Sequence, residues 1–405
     1  MPPVSTIEHR NRTSEVPPGS QRLPMPALLA LAMVTFITVL TEALPAGLLR
    51  QMSTGLGVSE ALAGQLITLY ALGTLLTAIP LTAATQGWRR RPLLVIAIIG
   101  FAVMNAVTAF SHHYALTLVA RFLAGVFAGL LWSLAAGYAA RLVPEHQKGK
   151  AMAIVMAGIP LALSIGIPAG TYLGIHAGWR VTFGLISTVA VLLAGWALCK
   201  IPNFSGQTTD NRHSIAKVFM LPGIRSVLFV TLAFVLAHNL LYTYIAPFLV
   251  PSGLADQVDL ILLVFGIVAL VSLGIVGVLV DRWLRELVLI STVLFLLAAA
   301  VLVFWNHEVI AVYAAITIWG LAWGGVATLF QTASAKTAGD AAEVAQSMIV
   351  TVWNVAMATG GIGGGLLLQS KGPSFFPLAL IALLVPTLIV VWQARNHGFP
   401  VVRVH

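Results

Sequence analysis

An all-α membrane protein, with twelve transmembrane helices in two pseudo-twofold six-helix bundles, is the fold that this sequence predicts. Three observations lead there: an apolar composition, twelve apolar runs of spanning length, and an internal repeat with a fixed offset. Hydrophobic residues make up 59% of the 405 and charged residues 9%, with a mean hydropathy of +0.95. One water-soluble core cannot hide so much apolar side chain. A bilayer supplies the solvent that fits.

A helix crosses the hydrocarbon with about 20 apolar residues. The first six runs fall at 25 to 49, 60 to 84, 93 to 111, 115 to 140, 150 to 176 and 179 to 200. The second six fall at 223 to 250, 258 to 280, 286 to 305, 308 to 335, 342 to 370 and 374 to 394. Span 1 carries Glu42 and Pro45 inside its run, and span 2 is followed by Arg89-Arg90-Arg91. Span 4 holds Arg121, Gly125 and Gly129, and span 5 sets Pro160 and Pro168 among glycines. Span 7 holds His238, Asn239 and Tyr242, and span 8 is followed by Asp281-Arg282 and Arg285. Span 10 holds Trp319, Trp323 and Gln331, and span 11 the run Gly360 to Gly365. Spans 3, 6, 9 and 12 rest on their apolar runs.

The longest connection, 201 to 222, contains NFSGQTTDNRHS, which is too polar to pack in lipid. It reads as a cytoplasmic linker between bundles at 25 to 200 and 223 to 394. Residues 1 to 24 mix both charge signs with Pro17, Pro18 and Gly19 and lack the apolar stretch of a secretory signal. They are expected to form a disordered cytoplasmic tail, with a second tail at 395 to 405.

The net charge of +9 is a topology signal. With the N-terminus placed inside, every Lys and Arg except Arg50, Arg121, Arg180 and Lys371 falls in an inside segment. By the positive-inside rule this puts both termini in the cytoplasm of an inner-membrane, multi-pass protein. Lipid phosphates are then the expected neighbours of the basic surplus, and nucleic acid is not.

Several chemistries lack their residues. The lone Cys199 excludes an intrachain disulfide. There is no GxxxxGK[ST] loop for ATP and no H-E-x-x-H, and His112-His113 has no acid nearby. The Gly-rich run at 360 to 365 lies inside a span and not after a strand, as a dinucleotide fingerprint requires. No cofactor, metal or enzymatic activity is expected.

The repeat holds one offset, 195, over a long stretch. Gln86-Gly87-Trp88-Arg89-Arg90 matches Asp281-Arg282-Trp283-Leu284-Arg285, and Gly125 and Gly129 match Gly320 and Gly324. Gly166, Pro168 and Gly170 match Gly361, Gly363 and Gly365. Two such halves joined by a linker suit a midplane site opened alternately by rocking.

These residues also carry a resemblance. Gly277-Val278-Leu279-Val280-Asp281-Arg282-Trp283-Leu284-Arg285 resembles the loop signature G-x-L-x-D-R-x-x-R of the major facilitator superfamily. The first-half copy, Thr82 to Arg91, keeps the basic end but has lost the glycine and the acid. Arg121-Phe122-Leu123-Ala124-Gly125 resembles the R-x-x-x-G motif of the drug and sugar efflux antiporter branch. Gly166-Ile167-Pro168-Ala169-Gly170 resembles a loosened antiporter motif, and Thr41 to Gly47 resembles the acid-bearing first helix of the sugar-efflux subgroup. The resemblance implies a monomeric, proton-coupled exporter of small molecules, with sugars or amphipathic drugs as substrate classes. A facilitator or importer, and a non-transporting membrane ligand sensor, are the alternatives.

Glu42 is the one acid well inside a span, where a charge is expensive. Counted by helix rise, it and Arg121 lie at similar depth. One reading makes Glu42 the carrier of the coupling proton, released under the influence of Arg121 or of substrate. The other is a fixed structural ion pair, or a carboxylate near wet headgroups. His238, Asn239 and Tyr242 are expected substrate contacts, with His238 open to two further readings, a second proton carrier or a neutral ring bonded to a carbonyl. Trp132, Trp319, Trp323 and Gln331 are expected either to line the cavity or to fill space beside glycines. Asp281, Arg282 and Arg285 are expected to form one charge network that closes the cytoplasmic ends. The stripe of Gly166, Pro168 and Gly170 is expected at the interface between the halves, where it would permit sliding or static packing.

Overall fold

The computed structural model describes residues 23–207 and 214–399. Most of the expected N-terminal tail, the middle of the linker and the last six residues lie outside the described residues. Regular structure among the described residues is entirely helical. Nine helical runs there are long and apolar enough to cross a membrane. Three of them, Glu145–Lys200, Leu260–Trp305 and Val309–Lys371, each hold two spans. At 1.5 Å per residue these are roughly 70 to 95 Å long, more than twice the hydrocarbon thickness. Twelve spans result.

The first half consists of spans 1 (Met25–Gly47), 2 (Glu60–Ala84), 3 (Arg90–Phe110), 4 (Tyr114–Arg141), 5 (Lys148 to Gly178) and 6 (Trp179–Lys200). In the second half, span 7 is Ile224–Thr243 with a short turn Ile245–Leu249. Spans 8 and 9 share Val258–Trp305, bent at Trp283, where φ −124° and ψ 30° leave helical values. Span 10 is broken into Val309–Trp323 and Val326–Ala338 at Gly324-Gly325, and spans 11 and 12 are Ala342–Lys371 and Phe376–Gln393.

Corresponding spans differ in regularity. Span 11 is one continuous helix, whereas span 5 contains π-helical turns at Ala162–Gly166 and Gly174–Gly178. Pro160 and Pro168 in span 5 each remove a main-chain donor and favour such irregularity. Span 11 contains no proline.

The repeat is visible in the packing. Gly125 of span 4 lies against the main chain of Tyr70 and Gly129 against that of Thr74, both in span 2. Gly320 of span 10 lies against Phe265 and Gly324 against Ala269 in span 8, which are the same pairs 195 residues on. A Cβ at position 125 would strike the Tyr70 carbonyl oxygen. Gly125→Val must therefore push spans 2 and 4 apart, at a cost of about 3 kcal/mol or more. Its expected outcome is loss of monodisperse protein after detergent extraction, read by size exclusion of a fluorescent fusion.

Each half has its own apolar core, and apolar side chains such as Ile310 (85% exposed) and Leu192 (70%) cover the outside as lipid-facing surface should. Ala335 and Ala342 of the second half join a core of the first. These are close to the end of the molecule that carries the linker. All hydrogen bonds and ion pairs seen between the halves, among the described residues, lie between that end and mid-depth.

Candidate functional site

In the first half, Arg121 is fully buried in span 4. Its Nε donates to the Leu66 carbonyl at 3.3 Å and its Nη2 to the Thr41 carbonyl at 2.9 Å. The guanidinium also sits over the rings of Tyr70 at 4.7 Å and Phe183 at 5.6 Å. Buried cations are tolerated in this way, by carbonyls and aromatic faces. Nη1 is buried with no hydrogen-bond partner. Glu42, half-buried, follows Thr41 directly, so the guanidinium is anchored next to the acid. No ion pair joins them. The fixed structural pair, one of the two readings of these residues, is not formed in this conformation: Arg121 directs Nε and Nη2 to main-chain carbonyls and leaves Nη1 unpartnered.

In the second half the structure gathers His238, Tyr242, Trp319 and Trp323. The His238 ring stacks on Trp323 at 3.4 Å and 6° and lies 5.2 Å from both Tyr242 and Trp319. Residues 238 and 242 are one helical turn apart, as are 319 and 323, so two spans each offer a pair. Phe265 closes on Trp319 at 4.5 Å, and Trp353 of span 11 reaches Trp323 at 5.7 Å. The periodicity of span 11 gave no reason to single out Trp353. His238 Nδ1 and Trp319 Nε1 are both buried without a hydrogen-bond partner. The ring therefore does not use Nδ1 to bond a neighbouring carbonyl.

Other expected contacts lie elsewhere. Trp319 is 1% exposed and backs the His238 ring, so it is core here and lines no open space. Trp132 packs against the two apolar clusters of the first half. Asn239 bonds the Val235 carbonyl at 2.9 Å and faces Gly360 of span 11. Gln331 meets Met156 across the halves, Nε2 to Sδ at 3.3 Å, with Oε1 buried and unpartnered. It belongs to the contact floor between halves. Two hollows, about 180 Å³ beside Pro222, Lys336 and His397 and about 380 Å³ between Leu289 and Trp392, lie away from all these residues.

The expected single network of Asp281, Arg282 and Arg285 is divided by the structure into separate contacts. Asp281 crosses to the other half, accepting from the Gly149 N–H at 2.6 Å and the Lys150 N–H at 3.0 Å at the start of span 5. Lys336 stands 3.9 Å from it. This is a carboxylate on a helix N-terminus, where free N–H groups and the dipole favour it. Arg285 turns instead to the end of its own half, donating to the carbonyls of Val391, Trp392 and Phe399. Arg282 is exposed. The bend at Trp283 lies between Asp281 and Arg285.

The first-half loop, which lacks the acid, is secured by a residue that the sequence reading passed over. Glu343, at the start of span 11 and 3% exposed, pairs with Arg90 at 2.8 Å and with Arg141 at 3.2 Å. The Arg90 contact is a close charge contact and not an aligned hydrogen bond. Arg90 also donates to the carbonyls of Thr85 and Gln86. Arg90 and Arg141 match Arg285 and Lys336 at the 195 offset, while Gln86 stands where Asp281 stands. The two closures are therefore equivalent in place and opposite in the position of their acid. An orphaned basic Arg90, opposite an acid at a span start, was the available signal.

The small-residue stripe also differs from expectation. Gly166 faces Phe36 and Leu40 of span 1, and Gly170 faces Leu44, with Gly158 against Ala32 and Thr35. Pro168 lies between them, at the first turn of Ile167–Leu173. The stripe brings spans 1 and 5 of one half together and does not lie between the halves. Sequence shows that a helix face is small but not which neighbour it receives.

With this geometry, comparison with known proteins is specific. The profile of the Major Facilitator Superfamily matches residues 31–361. The purine ribonucleoside efflux pump NepI of Salmonella paratyphi C (strain RKS4594) is 28% identical over 383 residues, covering 93% of this chain and 96% of the pump. NepI of Salmonella enteritidis PT4 (strain P125109) is 27% identical with the same coverage. Among solved structures, the transporter FucP in the outward conformation superposes with a TM-score of 0.74 at 14% identity, over 92% of this chain and 99% of its own. The proton:xylose symporter XylE gives 0.72 at 14% identity, over 94% and 98%. Likeness at such identities speaks for the fold. Matched over most of its length by the family profile, built of twelve spans and closed at one end by paired contacts between two repeated halves, this chain belongs to the Major Facilitator Superfamily and is a membrane transporter, not an enzyme.

Proposed function

We propose that the protein is a proton-coupled antiporter that exports a small molecule carrying a flat aromatic base, with nucleosides as the leading class. The linker and both termini would be cytoplasmic in the inner membrane, with bundles at 25–200 and 223–394, and the chain would act as a monomer among anionic lipids. The conformation described is then closed to the cytoplasm and open outward. Glu42 would take a proton from the outward vestibule and give it up inside. Arg121, held on main-chain carbonyls beside it, would not act as its fixed partner. The carrying observation is that Arg121 is anchored on the Thr41 carbonyl, next to Glu42, without pairing with it. A half-buried acid so placed is free to bind a proton.

Sugars or amphipathic drugs are what the motifs alone imply. The relatives' named substrate joins a sugar to a purine, and the stacked rings of His238, Tyr242 and Trp323 suit the purine. Asn239 and Gln331 would then offer amides to the sugar after a change of conformation. Counterflow in proteoliposomes with labelled purine nucleosides, a sugar panel and a dye panel, with and without a pH gradient, tests this reading. Nucleoside exchange accelerated by the gradient is expected. Exchange of none of the three panels would reject it.

Trp323→Ala removes the ring on which His238 lies. Its expected outcome is a rise of about tenfold in half-saturation for nucleoside, the value of one good aromatic contact, with gradient dependence retained. Unchanged half-saturation in a concentration series would exclude Trp323 from the site.

A further inference from the structure

The segment that follows span 6 is laid across the linker end of the first half. It has no helix or turn from Pro202 to Gln207 and is held at several points. The Tyr138 hydroxyl donates to the Pro202 carbonyl at 3.3 Å, and the Phe204 ring packs on Tyr138 at 5.5 Å. The Arg90 N–H donates to the Phe204 carbonyl at 3.0 Å, and the Gln207 N–H to the Gln86 carbonyl at 2.8 Å. Gly206 lies so close to the main chain of Gly87 and Trp88 that no side chain fits there. The Gln207 side chain then leaves the first half, its Nε2 donating to the Asp340 carbonyl at 2.9 Å in the turn between spans 10 and 11.

We propose that residues 203–207 are a strap that positions the Gln86–Arg90 loop for its pairing with Glu343 and ties that loop to the second half, so that it holds the linker end closed. Two observations carry this. The Gln86 carbonyl accepts from both Gln207 N–H and Arg90 Nη2, so the strap and the ion pair share one anchor. A related contact occurs in the other half: Phe399, which is 195 residues beyond Phe204 and fully buried, accepts from the Arg285 guanidinium, where Phe204 accepts from the main-chain N–H of its counterpart Arg90. A segment that closes over the same loop in both repeats is part of the design of the halves. Among the described residues only the first-half copy reaches the opposite half, at the place where the loop has Gln86 instead of an acid; the position matching Gln207 lies outside them. The strap thus adds, to the Arg90–Glu343 pairing, a second link from this loop region to the opposite half. It depends on rocking of the halves and not on the identity of substrate or coupling ion.

Double electron–electron resonance on the full chain in nanodiscs tests it, in a Cys199→Ser background with two label pairs. One pair, His146 with Arg282, spans the linker end; the other, His112 with Glu308, spans the opposite end. Gly206→Val lifts the strap and Gln207→Ala cuts its crossing bond. In each, the ratio of open to closed populations at the linker end is expected to rise about fivefold, the net worth of one ordinary hydrogen bond, while the opposite pair shortens in step. Unchanged populations in both variants would overturn the proposal. So would a longer linker-end distance with no change at the other end, since that is local loosening without rocking. Should Gly206→Val not accumulate in the membrane, Gln207→Ala decides by the same two readings.

Discussion

Proteoliposomes bearing Glu42→Gln are expected to exchange labelled substrate but not to accumulate it. A gradient of one pH unit is worth about 1.4 kcal/mol per proton, so a one-to-one antiporter reaches about tenfold accumulation at equilibrium. Substrate collects on the more acidic side, because protons leave that side as substrate enters. In Glu42→Gln the side chain keeps its shape and loses its proton, and the ratio should fall to about one. A symporter would accumulate on the alkaline side instead, so the sign separates export by antiport from import. Tenfold accumulation by Glu42→Gln would remove this residue from coupling. The expectation is specific to the acid because Arg121 is held independently, by Leu66, Thr41 and two rings.

The second large effect is expected from Glu343→Gln. Glu343 is the acid shared by Arg90 and Arg141, and it is almost fully buried. Removing one member of a buried pair typically costs about 3–5 kcal/mol, since the partner is left charged and unpaired. Part of that is recovered here, because Arg90 keeps the Thr85 and Gln86 carbonyls. The closed linker end should lose at least tenfold in population against the open one, equivalent to about 1.4 kcal/mol. In a Cys199→Ser background, accessibility of a cysteine introduced at Val280, which is buried against Gly149 of the other half, to a membrane-impermeant maleimide applied from the linker side reads the change. Labelling at the wild-type rate would mean that the pairing adds nothing to closure. Asp281→Asn should act in the same direction and more weakly, since an amide oxygen still accepts from Gly149 and Lys150.

The sequence carried the fold because two of its signals are one-dimensional. Apolar runs mark spans whatever their neighbours, and the 195 offset pairs Gly125 with Gly320 before any contact is known. The structure then shows both glycines at the same crossing. What depends on the third dimension was not legible. Gly166 and Gly170 mark a small face, but that the face receives span 1 follows from how the spans are arranged around each other. Glu343 sits at the first turn of its span and reads as a loop charge until Arg90 and Arg141 are seen beside it. Trp319 and Trp323 are one turn apart in sequence, yet one is wholly enclosed and the other half-buried. The expected neighbourhood of Glu42 and Arg121 came from matching depths along two helices. Which atom Arg121 chooses is a matter of a few ångströms that depth does not resolve.

Coupling through Glu42 is tested most directly by proton release on substrate binding, measured with a pH indicator on purified protein in weakly buffered detergent solution. If the acid exchanges its proton for substrate, saturating nucleoside should release up to about one proton per wild-type chain, and none from Glu42→Gln. The same release from both proteins, with binding confirmed by calorimetry, would contradict the account.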